Sequence, residues 1–151
     1  MKKTVAIIGS SGAIGSAFCK SLLSDHSIEK IYKFARNNID KDSDNEINIS
    51  IDIEDEDSIK KAIEELPENT RFDLIFVATG ILHNDDNIFP EKSIKDISID
   101  KLKKVFMVNT FGPTLLGKYF IPLLNREKSV FAFLSARAVS YTHLTLPTTP
   151  V

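Results

Sequence analysis

The sequence predicts an α/β fold, in which a doubly wound parallel sheet of five strands carries helices on both faces. Short apolar runs alternate along the chain with segments whose apolar residues recur at helical spacing, an order typical of parallel sheets. The fourth strand candidate, residues 72–78, is continuous in apolar character, as expected for a strand buried on both faces. Because crossovers between parallel strands are right-handed, the doubly wound arrangement is the most economical one.

The predicted elements follow one another in a regular order. Five strands are predicted over residues 5–8, 31–35, 47–53, 72–78 and 129–134. Three helices are predicted between them, over residues 14–23, 57–66 and 102–124. Pro67 ends the second helix because its ring cannot continue a helical ladder. Ser98 or Asp100 is placed to cap the third helix, and a polar, acidic connection over residues 37–46 joins the second and third strands.

Composition places the chain among ordinary globular domains and excludes several classes of partner. Its 151 residues, 42% hydrophobic and 26% charged, suffice for one domain with a core. A formal net charge of −2 gives no basic surface for nucleic acid and no polybasic membrane patch. The single cysteine, Cys19, fits a reducing compartment, and no run is long enough for a signal peptide or membrane span, so we expect a cytoplasmic protein. The scattered residues His26, His83 and His143 predict no metal site.

A glycine-rich turn, GSSGAIG, lies between the first predicted strand and the first predicted helix. A dinucleotide site needs a tight bend there, close backbone approach to a pyrophosphate and close helix–strand packing, each of which excludes a side chain. The following helix presents free N–H groups to negative charge. The alternative is an ordinary glycine-rich turn, whereas a P-loop is excluded because no Gly-Lys-Ser/Thr follows. The predicted cofactor-binding residues of this turn are Gly9, Ser10, Ser11, Gly12, Ala13, Ile14 and Gly15.

Three segments, GSSGAIG (residues 9–15), VNTFGP (108–113) and FLSAR (133–137), resemble the short-chain dehydrogenase/reductase family. They look most like the small reductases grouped with the bacterial C-factor. The resemblance runs from residue 1 to about residue 137 and implies a Rossmann fold. The family turn is usually TGxxxGxG; here Ile8 precedes Gly9, and Ala13 takes the place of the middle glycine, with Gly12 one position earlier. Because alanine is small, this departure should still admit the cofactor.

The end of the second predicted strand bears on which dinucleotide is bound. NAD-binding proteins of this fold place an acid there, against the ribose hydroxyls, whereas this strand ends Phe34-Ala35-Arg36. A guanidinium suits a 2′-phosphate by charge and forked geometry, so NADP(H) is favoured over NAD(H). The alternative is that Arg36 is only an exposed arginine. The resemblance further implies that Asp52, with Ile53 beside it, contacts the adenine, and that Ala78, Thr79 and Gly80 replace the family's Asn-Ala-Gly.

The resemblance implies an oxidoreductase that acts on a small carbonyl or alcohol with Asn, Ser, Tyr and Lys. Asn109 matches the asparagine, although it could be a polar surface residue; its apolar neighbours favour partial burial. Ser135 is the best candidate for the serine, but in many members the active serine lies one residue later, where this chain has Ala136, or it could lie further on. No tyrosine here has a lysine four residues later: Tyr141 is followed at that distance by Thr145.

The chain as written is therefore expected to be inactive, although its family is enzymatic. The competing class is a non-catalytic dinucleotide-binding or signalling protein on the same fold. A full-length member would be a homo-oligomer by resemblance. In this chain we expect the fifth strand to be an exposed edge, and we expect an exposed apolar face on the third helix, at Leu115, Leu116, Phe120 and Leu124.

The composition changes abruptly near residue 139. Residues 139–151, VSYTHLTLPTTPV, contain no Lys, Ile, Asp or Asn, although the preceding chain is rich in all four. The first ten of these residues also match the translation of a transposase sequencing adapter. We interpret residues 1–138 as the N-terminal part of an NAD(P)-binding Rossmann domain and residues 139–151 as a tail that does not look native.

This interpretation predicts the outcome of a long DNA read across the locus, continued past the codon for Arg137. We expect the read to replace VSYTHLTLPTTPV with a segment in which a lysine lies four positions after a tyrosine (YxxxK). A read that reproduces the tail, followed by a stop codon, would contradict the interpretation and exclude catalysis of the family type by this chain.

Overall fold

A computed structural model describes residues 2–37, 43–82 and 93–135 of the chain. The predicted tail over residues 139–151 lies outside these ranges, as do His83 and half of the predicted connection between the second and third strands. Among the described residues, no helix has the length and apolar character needed to cross a membrane.

The sheet confirms the predicted fold class. Its five strands are β1 (Lys3–Ile8), β2 (Ile28–Ala35), β3 (Glu46–Ser50), β4 (Leu74–Val77) and β5 (Val130–Phe133). All neighbouring strands are parallel, and their order is β3-β2-β1-β4-β5. The strand order therefore reverses next to β1, and open parallel sheets bind ligands at the carboxyl ends of the strands beside such a reversal.

Three predicted strands are longer than those observed, the fifth by only one residue at each end. Residues 51–53 leave β3 and enter a loop, because the ladder with β2 ends at the pair Ala35 and Ser50. On the fourth strand, Phe72 makes only an isolated bridge to Leu124 before the regular pairing begins at Leu74. In the third and fourth predicted strands, buried apolar residues continue beyond the end of the regular ladder, so an apolar pattern cannot mark the strand end.

The helices are α1 (Ala13–Leu23), α2 (Glu56–Glu64), α3 (Ile99–Phe106) and α4 (Gly112–Phe120). Ser98 is the N-cap of α3, although its side chain makes no capping hydrogen bond. The prediction of one continuous helix over residues 102–124 is wrong, because a π-helical turn, Met107–Phe111, separates α3 from α4 and a 3-10 turn, Ile121–Leu123, follows α4.

The π-helical turn has a local cause in the sequence. Pro113 has no N–H to donate to the carbonyl four residues earlier, so the regular helical ladder cannot continue through this point. Gly112 instead donates its N–H to the carbonyl of Met107, five residues earlier. Such single π turns in longer helices are common at functional sites.

Each face of the sheet has its own apolar core. Helix α1 covers a small cluster in which Val5, Ile7, Cys19 and Ile31 are buried. The opposite face is larger and aromatic, with Phe34 packed edge to face on Phe120 at 5.2 Å between ring centroids. Leu116 and Phe120 are fully buried in this second core.

The expected exposed face at Leu115, Leu116, Phe120 and Leu124 is therefore wrong, because all four pack in or against the core. The exposed large side chains of this region are instead Phe106, Phe111 and Ile121. At the sheet edge, Val130 and Phe133 of β5 are also exposed, in agreement with the expected edge strand.

A polar cluster joins α2 to α4 outside these cores. Glu56 accepts hydrogen bonds from Lys118 Nζ at 2.8 Å and from the Tyr119 hydroxyl at 2.5 Å. These hydrogen bonds, first from Lys118 and then from Tyr119, lower the pKa of Glu56 from 4.5 to about 2. Since the folded-state pKa is depressed, the stabilisation from this carboxylate is present above pH 4.5 and is lost as the pH falls through about 2.

A buried ion pair links β2 to β3. Lys33 Nζ lies 3.1 Å from Glu46 Oε1, and the two side chains are only 4% and 0% exposed. Replacing Lys33 with methionine removes the ammonium that faces this buried carboxylate, and we expect the free energy of unfolding to fall by about 3–5 kcal/mol. Urea denaturation followed by circular dichroism measures the change.

The matched control is Lys60→Met, which removes an ion pair with Asp57 whose side chains are 47% and 75% exposed. Because exposed pairs contribute little, we expect its unfolding midpoint to stay close to that of the unaltered chain. Equal midpoints for the two variants would contradict the stabilising role assigned to the buried pair.

Candidate functional site

A cavity of about 440 Å³ opens at the carboxyl end of the sheet, beside the reversal of strand order. The segments that follow β1, β2, β3 and β4 line it, together with residues of α3 and of the π-helical turn. The predicted cofactor residues that line this cavity are Gly9, Ser11, Gly12, Arg36, Asp52, Ile53, Ala78, Thr79 and Gly80. Its volume lies in the range of small-molecule sites.

The glycine turn reaches the cavity through backbone that has no room for side chains. Gly9 has φ +84°, a conformation that favours glycine, and a Cβ there would lie 2.9 Å from Thr79 Cγ2. A Cβ on Gly15 would lie 2.2 Å from the carbonyl oxygen of Gly9. The first of these glycines therefore lets the segment after β4 approach the turn, and the second lets α1 begin directly against it.

Ser10 does not line the cavity but attaches the turn to β2. Its side chain is buried, and its hydroxyl donates to the carbonyl of Phe34 at 3.1 Å. The same carbonyl accepts the N–H groups of Gly9 and Ser10, at 2.9 and 3.2 Å. Three hydrogen bonds thus fix the turn beside the end of β2, from which Arg36 follows.

The N-terminus of α1 presents backbone N–H groups without a competing side chain. Gly12 is the N-cap, so no capping side chain is available, and the first turn contains no acidic residue. Ala13, Ile14 and Gly15 form the start of this helix and do not line the cavity. Unsatisfied N–H groups and the helix dipole favour a negatively charged group at such an end.

Arg36 lies directly after β2, with its side chain exposed at the cavity. Its carbonyl accepts a hydrogen bond from the Ser50 hydroxyl at 3.4 Å, which ties the end of β2 to β3. No carboxylate in the described ranges lies within ion-pair distance of its guanidinium. Within those ranges, its five N–H donors therefore remain available to an anion.

The loop after β3 presents Asp52 through a set of short hydrogen bonds. The N–H of Asp52 donates to the Ser58 hydroxyl at 2.8 Å, and its Oδ1 accepts the N–H of Glu54 at 3.0 Å. The loop also packs against the start of α4, where a Cβ on Gly112 would lie 3.0 Å from Ile53 Cδ1. The position of the Asp52 carboxylate is therefore set before any ligand binds.

Two charged cavity residues were not predicted from the sequence. Lys104 of α3 places its Nζ 2.7 Å from both carboxylate oxygens of Glu54, and both side chains line the cavity. Glu54 could have been suspected because it follows Asp52 and Ile53 directly. The sequence contains no signal that pairs it with a lysine fifty positions away.

Asn109 lies in the π-helical turn, and its side chain is exposed, so the expected partial burial is wrong. Its Oδ1 accepts the N–H of Ile81 at 2.8 Å, and its Nδ2 donates to the carbonyl of Ile81 at 2.7 Å. The amide is therefore engaged on the backbone that follows β4. It does not line the cavity, although Val108 beside it does.

Ser135, the other predicted catalytic residue, is exposed just beyond β5 and does not line the cavity. The preceding residue, Leu134, still donates its N–H to Val77 at 3.1 Å, which places Ser135 at the carboxyl end of the sheet. In the described part of the chain, no group of His, Cys, Asp and Glu has the arrangement of a metal site.

The hydroxyl of Thr79 is a buried polar group without a hydrogen-bond partner among the described residues. It lies where the glycine turn approaches β4, since a Cβ on Gly9 would contact the other branch of the same side chain. A buried hydroxyl without a partner costs free energy, so a group of this kind in a native protein requires a structural or functional reason.

Comparison with known proteins identifies the family. The family model described as enoyl-(acyl carrier protein) reductase, a short-chain dehydrogenase/reductase group, matches residues 19–144, which is most of the chain. The chain belongs to the short-chain dehydrogenase/reductase family. A search of curated proteins finds no match. The likeness to the C-factor group stays a prediction.

Solved structures of short-chain dehydrogenases share the fold. A family protein from Francisella tularensis is 24% identical with a TM-score of 0.74, and the alignment covers 90% of this chain and 52% of that one. An NADPH-bound carbonyl reductase from chicken fatty liver is 20% identical with a TM-score of 0.69, covering 81% and 48%.

A third similar structure contains NAD⁺ in place of NADPH. A short-chain dehydrogenase from Leptospira borgpetersenii with bound NAD⁺ is 27% identical with a TM-score of 0.67, covering 82% of this chain and 46% of that one. The present chain thus spans about half the length of these three structures.

The close approach at Gly15 predicts a specific effect of substitution. In Gly15→Ala the new methyl group would overlap the Gly9 carbonyl, and we expect a loss of about 1–3 kcal/mol in the free energy of unfolding. This loss has the opposite sign to the gain of up to about 1 kcal/mol that alanine normally brings inside a helix. Urea denaturation of the unaltered chain and the variant measures the change in the free energy of unfolding.

Gly12→Ala is the control, because the nearest heavy atom to its new Cβ would be 3.4 Å away, an ordinary contact. We expect this variant to lose less than about 1 kcal/mol, through the poorer capping by alanine. A Gly15→Ala variant as stable as the unaltered chain would show that the turn does not require this approach.

Proposed function

We propose that the chain is the cofactor-binding part of an NADP(H)-dependent oxidoreductase that interconverts small carbonyl compounds and alcohols. The observation that carries the proposal is the cavity at the strand-order reversal, where the glycine turn, Arg36 and Asp52 meet. Family membership supports the oxidoreductase class. The bound NADPH and bound NAD⁺ of two similar structures support a nicotinamide dinucleotide.

The residues present fit such a cofactor. Two glycines of the turn that would receive the pyrophosphate, Gly9 and Gly12, line the cavity and have no side chains, so the backbone there is open to close approach by the ligand. The first turn of α1 adds N–H donors and no acidic side chain. Together these features would bind two phosphates through the backbone, as helix N-termini do in dinucleotide-binding folds.

Arg36 and Asp52 would hold the two ends of the adenosine part. The Arg36 guanidinium lies directly after β2, where NAD-binding proteins of this fold have a carboxylate that binds the ribose hydroxyls. A carboxylate at this position would repel a 2′-phosphate. A charge-assisted, forked hydrogen bond from Arg36 would instead bind this phosphate. The carboxylate of Asp52, held by the N–H of Glu54, would accept a hydrogen bond from the exocyclic amino group of adenine.

When bound, the dinucleotide supplies or accepts the hydride that reduces a carbonyl or oxidises an alcohol. Asn109 would hold the backbone after β4 in place, because both of its amide groups are bonded to Ile81. Ser135, at the carboxyl end of β5, would donate a hydrogen bond to the substrate oxygen. Proton transfer at that oxygen would need a tyrosine–lysine pair, and no tyrosine in this sequence has a lysine four residues later.

Titration of the 151-residue chain with NADPH and NADH, followed by the fluorescence of the reduced nicotinamide, tests the proposal. We expect NADPH to bind more tightly. Arg36→Leu should weaken NADPH binding by about 10- to 100-fold, the loss expected for a hydrogen bond to a charged group, and leave NADH binding nearly unchanged.

Arg71→Leu is the matched control, since Arg71 is an exposed arginine that does not line the cavity. It should bind both dinucleotides as the unaltered chain does. Equal affinity of the unaltered chain for NADPH and NADH would remove the case for NADP(H). Binding without turnover by a protein that includes a tyrosine–lysine pair would favour a non-catalytic, dinucleotide-sensing protein.

A further inference from the structure

The ion pair between Glu54 and Lys104 is placed to act on the dinucleotide site. Lys104 Nζ lies 2.7 Å from both Oε1 and Oε2 of Glu54, so one ammonium bonds both carboxylate oxygens. The side chains of Glu54 and Lys104 are 21% and 40% exposed, respectively, and both residues line the cavity. Since water only partly surrounds the pair, its charges are less screened than those of a fully exposed surface pair.

Glu54 is connected at its other end to Asp52. The backbone N–H of Glu54 donates to Asp52 Oδ1 at 3.0 Å, so the residue that Lys104 holds also orients the Asp52 carboxylate. Within the described ranges, Asp52 Oδ2 accepts no hydrogen bond. That oxygen is therefore available to a donor inside the cavity, and its position depends on a loop that is fixed to α3 through Lys104.

The charges of the cavity also indicate a role for Lys104. Asp52 and Glu54 bring two carboxylates to a cavity whose proposed ligand carries several negative phosphate charges. Lys104 neutralises one of the two at direct contact. Without it, the Glu54 carboxylate would repel the phosphates and would also be released to compete with Asp52 for a donor on the ligand.

We propose that Lys104 is a positioning residue of the dinucleotide site, which determines affinity and base selectivity at the adenine end. By binding and neutralising Glu54, it leaves Asp52 as the single unneutralised carboxylate that recognises the exocyclic amino group. The inference rests on the proposed function, because it assumes that adenine occupies the Asp52 end of the cavity.

The experiment compares NADPH with its hypoxanthine analogue, in which an oxygen replaces the exocyclic amino group. Both are titrated against the 151-residue chain and against Lys104→Met, Glu54→Gln, the double variant and Lys104→Arg. Circular dichroism and urea denaturation establish that each variant is folded. Lys118→Met is the matched control, because it removes a similar ion pair, with Glu56, that does not line the cavity.

We expect Lys104→Met to weaken NADPH binding about tenfold and to reduce the preference for NADPH over the hypoxanthine analogue. The double variant should recover most of the affinity for NADPH, because without the Glu54 carboxylate there is no charge for Lys104 to neutralise. Lys104→Arg and Lys118→Met should bind as the unaltered chain does. Recovery in the double variant is a result that a merely structural role for Lys104 would not produce.

Four outcomes would overturn the inference, and they separate it from the proposed function. Unchanged NADPH binding by Lys104→Met would refute it alone. A double variant as weak as Lys104→Met, or tighter NADPH binding by Glu54→Gln, would show that Lys104 contacts the ligand's phosphates itself. If the folded, unaltered chain bound neither NADPH nor NADH, both proposals would be wrong.

Discussion

The backbone approach between the glycine turn and the start of α1 sets the geometry of the carboxyl end of the sheet. Gly15 packs so closely on the Gly9 carbonyl that any side chain there would displace the helix. The same turn bonds three times to the Phe34 carbonyl at the end of β2 and touches the segment after β4 at Thr79. The positions of Arg36 and of the cavity wall all follow from this contact.

The sequence predicted the sheet and the glycine turn because both depend on local patterns. Runs of four to seven residues located every strand, and the spacing of small residues located the turn. The pattern did not locate the strand ends: Ile51 and Ile53 are buried but lie in a loop, since the ladder with β2 ends at the pair Ala35 and Ser50. An apolar pattern indicates which residues are buried, and buried residues continue along the chain beyond the last hydrogen-bonded pair of the ladder.

The charged side of the cavity was not predictable for a different reason. Lys104 and Glu54 lie on α3 and on the loop after β3, and only the folded chain brings them together. The helix over residues 102–124 was predicted as one piece although Pro113 was visible in it. The effect of this proline is a change of hydrogen-bond register rather than an end to the helix, and periodicity does not distinguish the two.

Asn109 gives the π-helical turn a structural consequence of its own. Its amide exchanges both possible hydrogen bonds with the backbone of Ile81, in the pattern that a residue of an adjacent strand would make. The side chain thus imitates a peptide group and bonds the backbone four residues beyond the end of β4 to the helical segment. Aspartate lacks the amide donor, and glutamine carries one more methylene group, so neither reproduces this pair of hydrogen bonds with the same geometry, and asparagine joins the helical segment to the loop after β4.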